Sequence, residues 1–149
     1  MKQQYVNKLP LPRLLTELIS SGKWKTPSSN LIEKIAPFLK EELEFLQTIE
    51  SMESNSSIDL PEYENMFQLD SKKDERANNL PWMDTSKSVL IALNKIPGDD
   101  IAIALDYRNS IDSPRLIANN WHTMTKPIGG KWEVISDSFQ EFAKDLKLI

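Results

Sequence analysis

The chain contains no cysteine. That absence removes disulfides, thiolate metal sites and cysteine nucleophiles together, and it agrees with a reducing compartment. Histidine is almost missing: His122 stands alone, so a catalytic triad or an imidazole metal site has a single candidate base or ligand. Beside Trp121, that histidine reads better as a partly exposed side chain. With only four glycines, the sequence writes no phosphate loop and no dinucleotide fingerprint, and no serine sits in a G-x-S-x-G elbow. Long apolar runs are lacking too. The opening MKQQYVNKLPLPRLL holds no signal-peptide core and no later stretch has the length of a bilayer span, so a cytoplasmic protein with no membrane partner is expected. Positive charge is in deficit, 18 Lys and Arg against 22 Asp and Glu. Phosphate neutralisation needs a concentrated excess of cations, so direct nucleic-acid binding is disfavoured and basic partners are favoured.

What is present fits one domain spanning residues 1–149, long enough for a full core and short for two. Leu11, Leu14, Leu15, Leu18 and Ile19 recur at helical spacing between Pro12 and Gly22, which suit a first turn and a stop. A second helix is expected from Thr26-Pro27, with Leu31, Ile32 and Ile35 on one side, ending at Pro37. A third is expected over residues 41–52, with Leu43, Phe45, Leu46 and Ile49 inward and its glutamates outward. Residues 51–57 read as a loop, 60–69 as a short helix, and 70–79 as a charged surface loop whose one apolar anchor is Ala77.

After Pro81 the period changes. Residues 88–93 and 101–106 are short apolar runs joined by turn chemistry, which predicts an antiparallel hairpin. Residues 115–119 and 132–135 follow as third and fourth strands. Ser138 with Glu141 has the spacing of a capping box, opening a helix whose stripe is Phe139, Phe142, Ala143 and Leu146. The expected fold class is therefore α+β: N-terminal helices, then a mainly antiparallel sheet covered on one face, with the C-terminal helix packed on it. Within residues 101–107, Ile101, Ile103, Leu105 and Tyr107 share one face and Ala102, Ala104 and Asp106 the other, the pattern of a strand buried on both sides.

Two sets of residues invite a chemical reading. Asp99, Asp100, Asp106 and Asp112 cluster in sequence, and an acidic group beside a strand is one half of a metal-dependent nuclease site. The other half is a second carboxylate and a lysine on a neighbouring strand. WEVI at 132–135 offers Glu133 but no lysine at the next alternate position. The favoured reading gives Asp99 and Asp100 to the turn and lets Asp106 bond nearby backbone or pair with Arg108. The second set is the tryptophans. Trp132, alternating with Val134, is assigned to the core. Trp24 and Trp82 lie near prolines, where core or loop-pinning roles are favoured over exposed anchoring of a partner.

GDDIAIALDYR at 98–108, PRLIA at 114–118 leading to Trp121, WEVI at 132–135 and the SFQEF helix opening at 138–142 together resemble the C-terminal half of the SUKH superfamily. That superfamily includes fungal cell-wall assembly regulators and bacterial immunity proteins that neutralise toxins. The likeness covers residues 80–148. In the first half, Leu60-Pro61-Glu62-Tyr63 is a partial echo, and the N-terminal helices gain no support from it. The resemblance implies an α+β domain that acts by binding protein, without a cofactor; the residues themselves lead to no expected metal ligand and no expected catalytic residue. Its implied partner is a toxin, often a basic nuclease, which an acidic surface would suit. On that implication Asp99, Asp100, Asp112, Glu62 and Glu64 are the candidate contact residues, and Asp106, Tyr107 and Arg108 maintain the fold. The alternative is a regulatory or scaffold module of the same fold that binds an endogenous partner.

Overall fold

The computed structural model describes residues 2–67, 75–97, 101–120 and 131–149, with residues 64–67 described by their backbone alone. Its centre is a five-stranded antiparallel sheet in the order β3-β4-β5-β6-β7, a plain meander. The strands are β3 (Leu43–Phe45), β4 (Ser88–Asn94), β5 (Ala102–Asp106), β6 (Arg115–Asn120) and β7 (Lys131–Ser136). A small hairpin, β1 (Tyr5–Val6) with β2 (Leu9–Pro10), precedes them. Its two-residue loop, Asn7-Lys8, holds both residues at positive φ, 52° and 62°. That is the turn whose twist suits a hairpin.

Among the described residues, four α-helices accompany the sheet: α1 (Arg13–Ser20), α2 (Ser29–Ile35), α3 (Ile49–Phe67) and α4 (Phe139–Asp145). Gly22, at φ 75°, ends α1 as expected, and two bonds fix the stop. The Lys23 N–H donates to the Leu18 carbonyl at 2.9 Å and the Gly22 N–H to that of Ile19 at 3.2 Å, the paired bonds of a Schellman motif. α4 opens on Ser138, whose hydroxyl accepts from the Glu141 N–H at 3.2 Å.

The meander is covered on both faces, not on one. Ile101, Ile103, Leu105 and Tyr107 project into a core that contains Leu15 and Leu18 of α1 and Phe139, Phe142 and Ala143 of α4. Ala102 and Ala104 face a second core with Leu60 and Tyr63 of α3, Met83 and Trp132. β5 is fully buried on both sides, as its alternation requires, and its small residues leave the space that α3 and Trp132 fill. Bulges in β4 between Leu90 and Ala92, and in β7 opposite Leu116 and Ile117, let neighbouring apolar residues serve the same face. Arg76 lies over the half-buried Trp82 ring at 5.8 Å.

Two expectations for the first half fail for connected reasons. Leu43 and Phe45 are not on a helix: they point inward and Glu44 outward, a period of two that belongs to the edge strand β3. Phe45 then stacks on Trp24 with ring centroids 4.3 Å apart, and the Trp24 Nε1–H donates to the Leu46 carbonyl at 2.8 Å. Trp24, 2% exposed, is core. Residues 51–57 are not a loop but the first half of α3. Thr48 Oγ1 accepts from the Ser51 N–H at 3.0 Å and starts the helix. Inside it, Asn55 and Ser57 bond backwards to the carbonyls of Ser51 and Ser54, so these polar residues satisfy themselves without breaking the turn. Met52, Ser56, Leu60 and Tyr63 form the buried stripe. Pro61 stands inside the helix and offers no N–H to the Ser57 carbonyl. Of the expected charged loop, Glu75–Asn78 make a 3-10 turn that buries Ala77; Trp121 and His122 lie outside the described residues.

Candidate functional site

The acidic residues singled out from the sequence do not come together. Asp99 and Asp100 lie outside the described residues, and Glu64 is described only as backbone of α3. Glu62 is exposed on α3, beside Asp59. The Asp59 pKa is raised, first by burial and then by the Glu62 charge. Asp112 is exposed in the turn between β5 and β6 and lines a cleft of about 210 Å³ with Pro12 and Arg13 of the α1 start and Ser138 and Phe139 of the α4 start. α3 packs on one face of the sheet and α1 and α4 on the other, so Glu62 and Asp112 mark opposite sides.

Asp106 is spoken for by the fold. It is fully buried, and its Oδ1 accepts from Arg108 Nε at 2.9 Å and from the Arg108 N–H at 3.2 Å. Its Oδ2 accepts from Arg108 Nη2 at 3.0 Å and Arg115 Nε at 2.8 Å. Burial alone would raise the Asp106 pKa; the Arg108 bonds and charge, with the Arg115 bond, outweigh it and hold the carboxyl below the usual range. Arg108 goes on to donate to the carbonyls of Ala77 at 2.8 Å and Trp82 at 3.0 Å. One buried pair thus ties β5, β6 and the segment leading to β4. The expected pairing of Asp106 with Arg108 is present, with Arg115 added. Tyr107 completes the strand end: burial pushes its phenol pKa upward, and the neutral hydroxyl donates to the Pro10 carbonyl at 2.8 Å.

A site that sequence reasoning passed over lies at the free edge of β3. The Glu44–Leu93 register, with Lys95 N–H to Glu42 carbonyl and Leu46 N–H to Ile91 carbonyl at 2.9 Å each, turns the backbone N–H and C=O of Glu44 toward β4 and those of Leu43 and Phe45 away from it. The Phe45 end is closed: Thr26 Oγ1 accepts from its N–H at 2.8 Å and Gln47 Nε2 donates to its carbonyl at 3.1 Å. The Leu43 end opens on a cleft of about 220 Å³ lined by Thr26, Ser29, Glu33, Glu41, Glu42, Lys40 and Lys95 among others. Lys95 and Glu42 approach to 3.8 Å, both well exposed, a pairing of little energetic weight. The lining is mildly acidic, with three carboxylates against two ammonium groups. The signal that could have found it is the Leu43-Glu44-Phe45 alternation after Glu41 and Glu42, read as a strand.

Among the described residues no group of three or more His, Cys, Asp or Glu side chains is placed to hold a metal ion, and no helix is long and apolar enough to cross a membrane. Comparison of the chain with protein-family models, with curated proteins and with solved structures returns no match.

Proposed function

We propose that this is an immunity-type protein that acts in the cytoplasm by binding a bacterial toxin, for which a basic nuclease is the expected class, and occupying its active or binding surface. The observation that carries the reading is the division of labour within the segments that resemble the SUKH superfamily. The aspartate, tyrosine and arginine of the LDYR strand end are consumed by the buried Asp106–Arg108–Arg115 pairing and the Tyr107–Pro10 bond. The SFQEF segment is spent on the Ser138 cap and the α4 stripe. A frame built this way keeps its characteristic residues out of contact with a partner. Recognition is left to exposed groups, among which Glu62, Asp112 and the acidic β3 cleft stand out. An acidic binder and a basic nuclease attract over a distance and dock in complementary orientation.

The test is co-expression of the chain with a toxin-like protein encoded beside it. Protection of the cells, with a one-to-one complex on co-purification, is the expected outcome. Unprotected cells and no complex would overturn the proposal, and a stable complex with an endogenous protein in place of protection would move the assignment to a regulatory module.

A further inference from the structure

We infer that the outward face of α3 is where the basic partner docks, with Ile58 and Pro61 as an apolar centre and the carboxylates of Asp59 and Glu62 meeting lysine and arginine side chains beside it. The inference deepens the protein-binding reading and rests on it, and it selects one surface among those left exposed. Charge carries the selection. Residues 49–67 hold five carboxylates, Glu50, Glu53, Asp59, Glu62 and Glu64, and no lysine or arginine. Among the described residues no cation pairs with Glu50, Glu53, Asp59 or Glu62; Glu53 accepts from the Asn7 N–H at 3.0 Å, a neutral donor. The arrangement works against the helix. Asp59, Glu62 and Glu64 stand in its second half, toward the negative end of the helix dipole, and its last turn has no basic residue. Asp59 and Glu62 are also neighbours at i,i+3, where like charges repel, and the Asp59 pKa is raised by burial and by the Glu62 charge. Charge held where it weakens the free helix, with no cation of the described chain to offset it, marks a surface kept for another molecule.

The apolar part fits the same use. Ile58 is 63% exposed, the most exposed large apolar side chain among the described residues. One such residue is ordinary on a protein surface. Here Pro61 is exposed beside it at i,i+3 and Glu62 at i,i+4, which joins an apolar centre and a charged rim in one patch, the layout of a binding interface. Pro61 also withholds the N–H that would answer the Ser57 carbonyl, and Ser57 lies on the exposed side of the helix. Carboxylates and a carbonyl are acceptors throughout. Their complement is a positively charged donor with no acceptor of its own, which is the chemistry of lysine and arginine. An acidic surface would repel this face, and an apolar one would strip it of water without replacing the bonds.

The experiment has two arms, both on the full-length protein. In the first, binding to the toxin-like protein encoded beside the chain is measured by titration calorimetry. Ile58→Asp and, separately, Glu62→Lys should each weaken the complex about tenfold or more. Asp145→Lys makes an equal charge change at an exposed position of α4, which packs on the other face of the sheet, and should alter the affinity by less than about twofold. In the second arm, Glu62→Lys is unfolded thermally with no partner present. Its Tm should rise by about 1–4 °C, since a like-charge contact and a charge at the wrong end of the helix dipole are both removed. Weaker binding together with a more stable free protein is not what a residue serving only the fold would give. If wild type forms the complex and either Ile58→Asp or Glu62→Lys binds as tightly, this inference falls while the protein-binding reading stands; absence of a complex with wild type overturns both. A Tm for Glu62→Lys that does not rise, or an equal loss of affinity from Asp145→Lys, also overturns the inference.

Discussion

Removing the Asp106 carboxylate should be among the most costly single changes in this chain. The side chain is fully buried, Arg108 is only 4% exposed and Arg115 20%. Substitution Asp106→Ala strips four hydrogen bonds and leaves the Arg108 guanidinium buried beside the carbonyls of Ala77 and Trp82, with no counter-charge at its other edge. Breaking a buried pair from one side costs about 3–5 kcal/mol, because the remaining ion is uncompensated. Against a total stability of roughly 5–15 kcal/mol for a domain, that removes a large share. It corresponds to a fall in Tm of roughly 6–20 °C for a chain of this size. Urea unfolding followed by tryptophan fluorescence and by far-ultraviolet circular dichroism measures it directly. The cause is isolated by a double-mutant cycle: Arg108→Met in the Asp106→Asn background should recover part of the loss, since the stranded charge goes with it. A loss below about 1 kcal/mol for Asp106→Ala, the scale of an exposed pair, would refute the claim that this pairing holds the strand ends together.

The same group sets a pH dependence. The Asp106 pKa is lowered in the folded chain, so its contribution is full above the unfolded aspartate value of about 3.9 and is lost as pH falls from there through the folded value. Urea midpoints measured down through that range should drop, with a smaller drop for Asp106→Asn. Asp59, whose pKa is raised, has the opposite sign: it favours the folded state below its unfolded value and loses that contribution as pH rises through the folded one. Ser56→Ala should cost about 1–3 kcal/mol, because Ser56 Oγ accepts from the buried Leu90 N–H at 3.1 Å. Unchanged stability together with unchanged hydrogen exchange at the Leu90 amide would contradict the assignment of that bond.

How much of this was legible in the sequence follows from how locally each element is determined. β4 to β7 and α4 carry their own evidence: short apolar runs, turn residues between them, and a serine cap ahead of an aromatic stripe. β5 is legible residue by residue, because an Ile/Ala alternation on a strand flanked by two others leaves no other arrangement than burial on both faces. The second layer is legible only by implication, since the sequence pattern divides in two the helix that fills the small-residue face. Residues 51–57 look like a loop because Ser and Asn compete with the helical backbone in isolation. What overrides them is tertiary: Ser56 reaches across to Leu90, Met52 and Leu60 find core, and the Thr48 cap fixes the start.

The miss at β3 bears most on the surface. Leu43, Phe45, Leu46 and Ile49 satisfy a helical stripe as readily as Leu43 and Phe45 satisfy a strand, and a three-residue element is too short for period to decide. The deciding fact is a partner far along the chain, since β4 supplies the ladder and Trp24 and Phe142 supply the aromatic cover for Phe45. Once residues 41–48 are a strand and its approach, their glutamates cease to be the polar face of a helix and border a sheet edge and a cleft. The residues that mark the chain's resemblance are spent on internal bonds. The cleft beside β3 therefore lies where the sequence is hardest to read: it is assembled from Thr26, Glu33, Glu41 and Lys95 among others, which no local pattern connects.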